Sequence, residues 1–211
     1  MNKNTYEFRD FSVEGFEIRK TEEGQIISGM ALPFNRDSED LGGFVERIDS
    51  KAVERTLADS DVVMLWQHDS TDPITRESTG LKLETRDSGV FFEADASDFT
   101  DRQLDLLQRG VVNQMSFGFL TISDDWQQES EPVVRTLLDI ELREISPVTW
   151  PAYRQTSVAV RSAEQAGVTL PHPEHADYLD LKKRLENHDK LEIAEKKRRL
   201  QMLLAGSELN D

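Results

Sequence analysis

Two residues stand out for the chemistry they could do together: Ser116, inside the apolar run VVNQMSFGFL at 111–120, and His68, at the end of DVVMLWQHD at 61–69. A serine hydroxyl is a poor nucleophile alone. It needs a base within hydrogen-bond reach, and the base needs a third group to orient it. Histidines occur at 68, 172, 175 and 188, and of these only His68 falls in the part of the chain that reads as a folded domain. Taken singly, a serine in a strand is usually structural and a histidine at a strand end is usually a surface residue. Together they gain weight, because the domain has a single imidazole to offer. The sequence has no G-x-S-x-G elbow and no S-x-x-K, so residue types alone mark a candidate Ser/His site and go no further.

Other chemistries fare worse. His172-Pro-Glu-His175 sits among prolines with no third ligand, and His68 with Asp69 and Asp72 is a common coincidence of loop residues. There is no glycine-rich phosphate loop. No metal and no cofactor is expected. The absence of cysteine removes disulfides, thiol nucleophiles and thiolate metal sites, and fits a reducing compartment. A net charge of −16 repels phosphate, which argues against nucleic acid as a partner of the main domain. No apolar stretch has the length of a membrane span, and MNKNTYEFRDF lacks the apolar segment of a secretion signal, so a cytosolic protein is expected.

The elements that must position Ser116 and His68 are legible as period-2 runs and helix signals. QIISGMALPF reads as a strand with an irregular end at Gly29 and Pro33. DSKAVERTLADS reads as a short helix with Ser50 at its N-cap. In DVVMLWQHD, Val62, Met64, Trp66 and His68 share one strand face, and the DSTDP segment beyond reads as a turn. LKLETRDSGVFFEADA reads as a hairpin turning at Asp87-Ser88-Gly89. Thr100 and Gln103 form a capping box for a helix with Leu104 and Leu107 on its buried stripe, closed by Gly110. The Ser116 strand comes next. PVVRTLLDIELREISPVTW supplies one or two more strands. The fold class is α+β or mainly β, barrel-like, over residues 1–161. A Pro- and Ala-bearing linker at 162–175 and a charged helical tail at 176–211 complete the chain. The linker is expected to be exposed and flexible.

The ordered series SGMALPFN, GGFVERIDSKAVERTL, DVVMLWQHD, DRQLDLLQRGVVNQMSFGF and LREISPVTWPAYRQTSVAV, spanning about residues 11–160, resembles the HK97-type prohead proteases, the capsid-maturation proteases of tailed phages. The resemblance implies a small antiparallel β-barrel wrapped by short helices, similar to the herpesvirus assembly proteases, with Ser116 as nucleophile and His68 as base. DSKAV departs from the family at a helix start and touches no site residue. The third member is less defined: Glu144 in LREISPV matches the acidic position of the closing motif, Asp139 and Glu141 are neighbouring alternatives, and a dyad or a purely structural Glu144 stays open. If the strand alternates, Leu142 and Glu144 share a face and Arg143 points away.

The resemblance also implies an endopeptidase whose Ser116 attacks a peptide carbonyl while His68 shuttles the proton. The oxyanion hole is not visible in sequence; backbone amides near WPAYR, helped by Arg154, are the candidate. Gly118, on the Ser116 face, is expected to leave space for a substrate backbone. The implied substrates are the major capsid protein, scaffold segments and the protease itself, with the 162–175 linker as the candidate self-cleavage region, inside an immature phage shell in the host bacterial cytoplasm. A homo-oligomer, with a dimer as one form, is expected to gate activity. The alternative is a non-catalytic internal scaffold or assembly factor with the same fold.

Overall fold

The computed structural model describes residues 6–12, 16–22, 24–149, 162–163, 165–168 and 170, with backbone alone at 10–12. Ten strands dominate: β1 (Tyr6–Ser12), β2 (Glu17–Lys20), β3 (Gln25–Pro33), β4 (Phe44–Ile48), β5 (Val63–Trp66), β6 (Asp69–Arg76), β7 (Lys82–Arg86), β8 (Gly89–Asp95), β9 (Gln114–Gln127) and β10 (Val133–Val148). The α-helices α1 (Glu54–Asp59) and α2 (Asp101–Gln108) lie among the connections between the described strands. A six-stranded sheet runs β1-β9-β10-β5-β6, with β4 also on β10; a four-stranded sheet runs β2-β3-β8-β7. The chain is mainly β, as expected, but the larger sheet is mixed. Strand β10 pairs antiparallel with β9, yet parallel with β4 along Val133–Leu137 and with β5 at Glu144 and Ile145. PVVRTLLDIELREISPVTW therefore yields one long strand that serves three neighbours.

The two sheets share one core. Phe117, Phe119, Ile140, Leu142 and Ile145 of the larger sheet join Ile27, Leu32, Val90 and Phe92 of the smaller in a single buried apolar cluster. Each such side chain contributes about 1.5–3 kcal/mol on burial. Helix α2 has the capping box anticipated at Thr100 and Gln103, and Gly110 beyond it takes φ 67°. Helix α1 starts later than expected. Ser50 lies in a turn, where Asp49 accepts the Lys51 N–H at 2.9 Å, and Val53 is the N-cap without a side-chain bond. The Ala52 N–H, which an N-cap at Ser50 would use, goes instead to the Asp49 carbonyl at 3.0 Å, closing the turn ahead of the helix. Residues 162–170, where described, belong to a second apolar cluster: Ala163 and Val168 are buried against Leu41, Phe44 and Val133, with Leu170 packed on it. The tail at 176–211 lies outside the described residues.

Strand β1 is at the edge of the larger sheet, yet charge holds it firmly. On the face opposite Phe8, Arg9 donates to Glu46 Oε1 at 2.7 Å and to Glu7 Oε2 at 2.7 Å. Arg135 from β10 donates to the same Glu7 and Glu46 at 3.0 and 2.9 Å, and to Asp124 at 2.9 Å. Thr121 donates to Glu7 Oε1 at 2.7 Å. Burial alone would raise the Glu7 carboxyl, but Arg9 and Arg135 outweigh it and hold it at about 2. Buried charges of this kind cost several kcal/mol to desolvate and are tolerated only when fully paired. Removing one partner strands the others, at about 3–5 kcal/mol.

Glu46→Ala should therefore lower unfolding stability in urea by about 3–5 kcal/mol, and a change within experimental error would show that the network is dispensable. Because Glu7 is depressed below its ordinary 4.5, its contribution is intact above that value and is lost as pH falls towards about 2. Glu7→Gln should flatten this part of the acid-stability profile, measured as the urea midpoint against pH, and lower the midpoint at neutral pH.

Candidate active site

The site is assembled on β10 by an irregularity. Leu142 pairs with Phe119 and Glu144 pairs with Gly118, so two steps on β10 match one on β9. Arg143 is the extra residue of a β-bulge, exposed and paired to Glu141 at 2.6 Å. The expected alternation, with Leu142 and Glu144 on one face, fails for this reason. The bulge sends Leu142 into the core and turns Glu144 to the opposite face, where Ser116 and Gly118 lie. Asp139, one of the alternatives to Glu144, pairs with Arg55 at 3.0 Å, and Glu141 with Arg143.

His68 reaches this face from a turn. Strand β5 ends at Trp66, which pairs with Asp69, so Gln67 and His68 form a two-residue hairpin loop with φ 56° and 62°. The turn therefore comes two residues before the DSTDP segment, which is strand β6. Positive φ at both central residues matches the twist of the flanking strands, but it normally selects Gly, Asn or Asp. For other residues it costs roughly 1–2 kcal/mol each. Contacts to the end of β10 offset that cost. Gln67 N–H donates to the Pro147 carbonyl at 3.2 Å, and His68 N–H to Ser146 Oγ at 3.3 Å.

His68 Nδ1 lies 2.7 Å from Glu144 Oε1. With an ionised carboxylate as acceptor, Nδ1 carries the proton, and Nε2 is the basic nitrogen of the neutral ring. Ser146 donates to Glu144 Oε2 at 2.5 Å, fixing the other carboxylate oxygen. The His68 ring also meets Phe8 edge-on, centroids 4.6 Å apart. Ser116, on β9, lies directly across from Ser146 on β10 and from Asp10 on β1. Ser116 and Glu144 thus lie on one sheet face, and His68 reaches Glu144 there. Ser116 is fully buried, and its hydroxyl donates to the Arg9 carbonyl at 3.1 Å. Arg154 and the WPAYR segment lie outside the described residues.

Gly118 has a different purpose from the one expected. A Cβ there would collide with the Tyr6 hydroxyl and lie 2.8 Å from Glu144 Oε1. The space it leaves is filled by these two groups, not kept open for a substrate. Burial, and secondarily the Glu144 carboxylate, push the Tyr6 hydroxyl well above the usual phenol range, so it stays protonated. Ser146 and Gln67 were invisible as site residues in the sequence. Ser146 sits two places from Glu144 on the same strand face, a spacing that could have signalled it. Beside the site, a cavity of about 600 Å³ opens between β5, β6 and Glu144, with Val63, Leu65 and Ile74 among its walls and Arg76 and Arg143 also lining it.

Gly118→Ala should therefore push Glu144 away from the imidazole. The expected result is loss of the low-field Nδ1 proton resonance of His68 while the far-ultraviolet circular dichroism stays that of the wild type. An unchanged resonance would show that the glycine is not what admits the carboxylate.

A family model described as the Caudovirus prohead serine protease matches residues 14–169. No curated protein matches the sequence. Among solved structures, the capsid assembly protease of bacteriophage T4 is similar, with a TM-score of 0.43 and 12% identity over 68% of this chain and 99% of that one. The family match runs through most of the chain and takes in His68, Ser116 and Glu144 alike, and the chain belongs to the Caudovirus prohead serine protease family.

Proposed function

We propose that this prohead serine protease cuts peptide bonds on the face shared by Ser116, His68 and Glu144. The observation that carries the assignment is the 2.7 Å contact between His68 Nδ1 and Glu144, which faces Gly118, two residues along β9 from Ser116. In this scheme Ser116 Oγ attacks the substrate carbonyl and passes its proton to His68 Nε2. Glu144 stabilises the imidazolium that forms and holds its tautomer. His68 then protonates the leaving amine, and a water activated by the same imidazole hydrolyses the acyl-enzyme. Fixed donors must meet the developing oxyanion; we assign them to backbone amides near WPAYR at 150–154, with Arg154 as a helper. The two facing sheets support a fold related to the herpesvirus assembly proteases.

The substrates are capsid and scaffold proteins, and the protease itself, within the prohead. Tight control suits that setting. The burial of Ser116 and the engagement of its hydroxyl by the Arg9 carbonyl support a resting state. Chemistry then requires the Ser116 hydroxyl to leave the Arg9 carbonyl and turn to His68. Assembly into an oligomer within the shell would supply the trigger by raising local concentration. The described part of 162–170 packs on the domain, which moves the favoured self-cleavage region to 171–175.

Full-length chain co-expressed with the capsid protein of the same phage should give processed fragments. Ser116→Ala and His68→Ala should each reduce the rate by several powers of ten, since members of such a site act as a unit. Equal fragmentation by wild type and Ser116→Ala would refute the assignment of the nucleophile. Intact capsid protein in every sample, with normal shells formed, would favour a scaffold that has lost its activity.

A further inference from the structure

The His68 turn carries a device outside the reacting groups. The Gln67 carboxamide uses both of its ends on one residue: Nε2 donates to Thr149 Oγ1 at 2.9 Å, and Oε1 accepts the Thr149 N–H at 3.2 Å. With the Gln67 N–H on Pro147 and the His68 N–H on Ser146, the whole loop is stitched to residues 146–149. Glu144 belongs to the same strand, two residues before that stretch. The clasp therefore sets the imidazole and its carboxylate in one rigid frame. Glutamine is a poor choice for the backbone at this position, whose φ of 56° favours glycine. Its side chain is exposed and contributes nothing to the core. What it supplies is the reciprocal bond pair.

We propose that Gln67 is a positioning residue for proteolysis, acting through Thr149 to hold His68 against Glu144. This rests on Ser116, His68 and Glu144 being the proteolytic site. The residue does not touch the substrate. Its effect belongs in kcat and in the state of the His68 ring, because a base displaced by even an ångström loses a large share of its efficiency.

The test exploits the opposed demands on this position. In Gln67→Gly the backbone relaxes, so the urea midpoint should hold or rise. The clasp is gone, so kcat on the capsid protein should fall about 10- to 100-fold with KM little changed. The Nδ1 proton resonance of His68, recorded in the full-length chain, should broaden or vanish. Thr149→Val should lower kcat in the same direction, Thr149→Ser should retain it, and Gln67→Gly with Thr149→Val should be no worse than the more damaging single change. Wild-type kcat and an unaltered resonance in Gln67→Gly, with Ser116→Ala inactive, would overturn the positioning role and leave the site intact. Processing that survives Ser116→Ala would remove the site itself, and the proposal with it.

Discussion

The arrangement depends on one residue too many in strand β10. Without the bulge at Arg143, the alternation that buries Leu142 in the core would place Glu144 there as well. The carboxylate would then lie against Phe117 and Phe119, and Ile145 would be turned out of the core, so the strand would lose apolar burial and gain a desolvation cost. With the bulge, one strand satisfies two environments within five residues. Leu142 and Ile145 pack inward, and Glu144 and Ser146 turn outward. Everything polar at the site is arranged around that reversal: Ser146 on one oxygen of Glu144, His68 on the other, and Gly118 beneath with no side chain to obstruct them.

The opposite face of β1 and β9 solves a second problem with charge. Two arginines and two glutamates lie buried between β1, β4 and β10, each carboxylate shared by both guanidinium groups. This network adds charge pairing to the side-chain pattern that sets the register of the edge strand. Register matters because Arg9 belongs to both halves of the system. Its guanidinium is locked in the network, and its carbonyl receives the Ser116 hydroxyl. The charges on one face thereby determine what the serine on the other face meets.

Much of this was legible in the sequence, and the remainder was hidden for identifiable reasons. Ser116 and His68 could be picked out because the domain offers one imidazole, and the capping box of α2 because its residues lie within a single turn. Glu144 could be chosen only by resemblance. Strand periodicity gave the wrong face for it relative to Leu142, since a bulge depends on how the partner strand pairs and leaves no mark in local composition. The turn at Gln67-His68 was missed for a related reason. Neither residue is a usual turn former, and the bonds that stabilise their left-handed backbone come from residues 146–149, far along the chain. Gly118 read correctly as a demand for space, but what fills the space comes from β1 and β10. The ion network was equally hidden, because Glu7, Arg9, Glu46 and Arg135 belong to three separate strands.

The central claim is that the hydroxyl of Ser116 becomes nucleophilic through His68. Its most direct measurement is mapping, by tandem mass spectrometry, of the adduct formed by a fluorophosphonate on the full-length protein during prohead assembly. The account predicts one modified serine, Ser116, in wild type and no adduct in His68→Ala. Modification of Ser146, or labelling of Ser116 that is indifferent to the loss of His68, would contradict it.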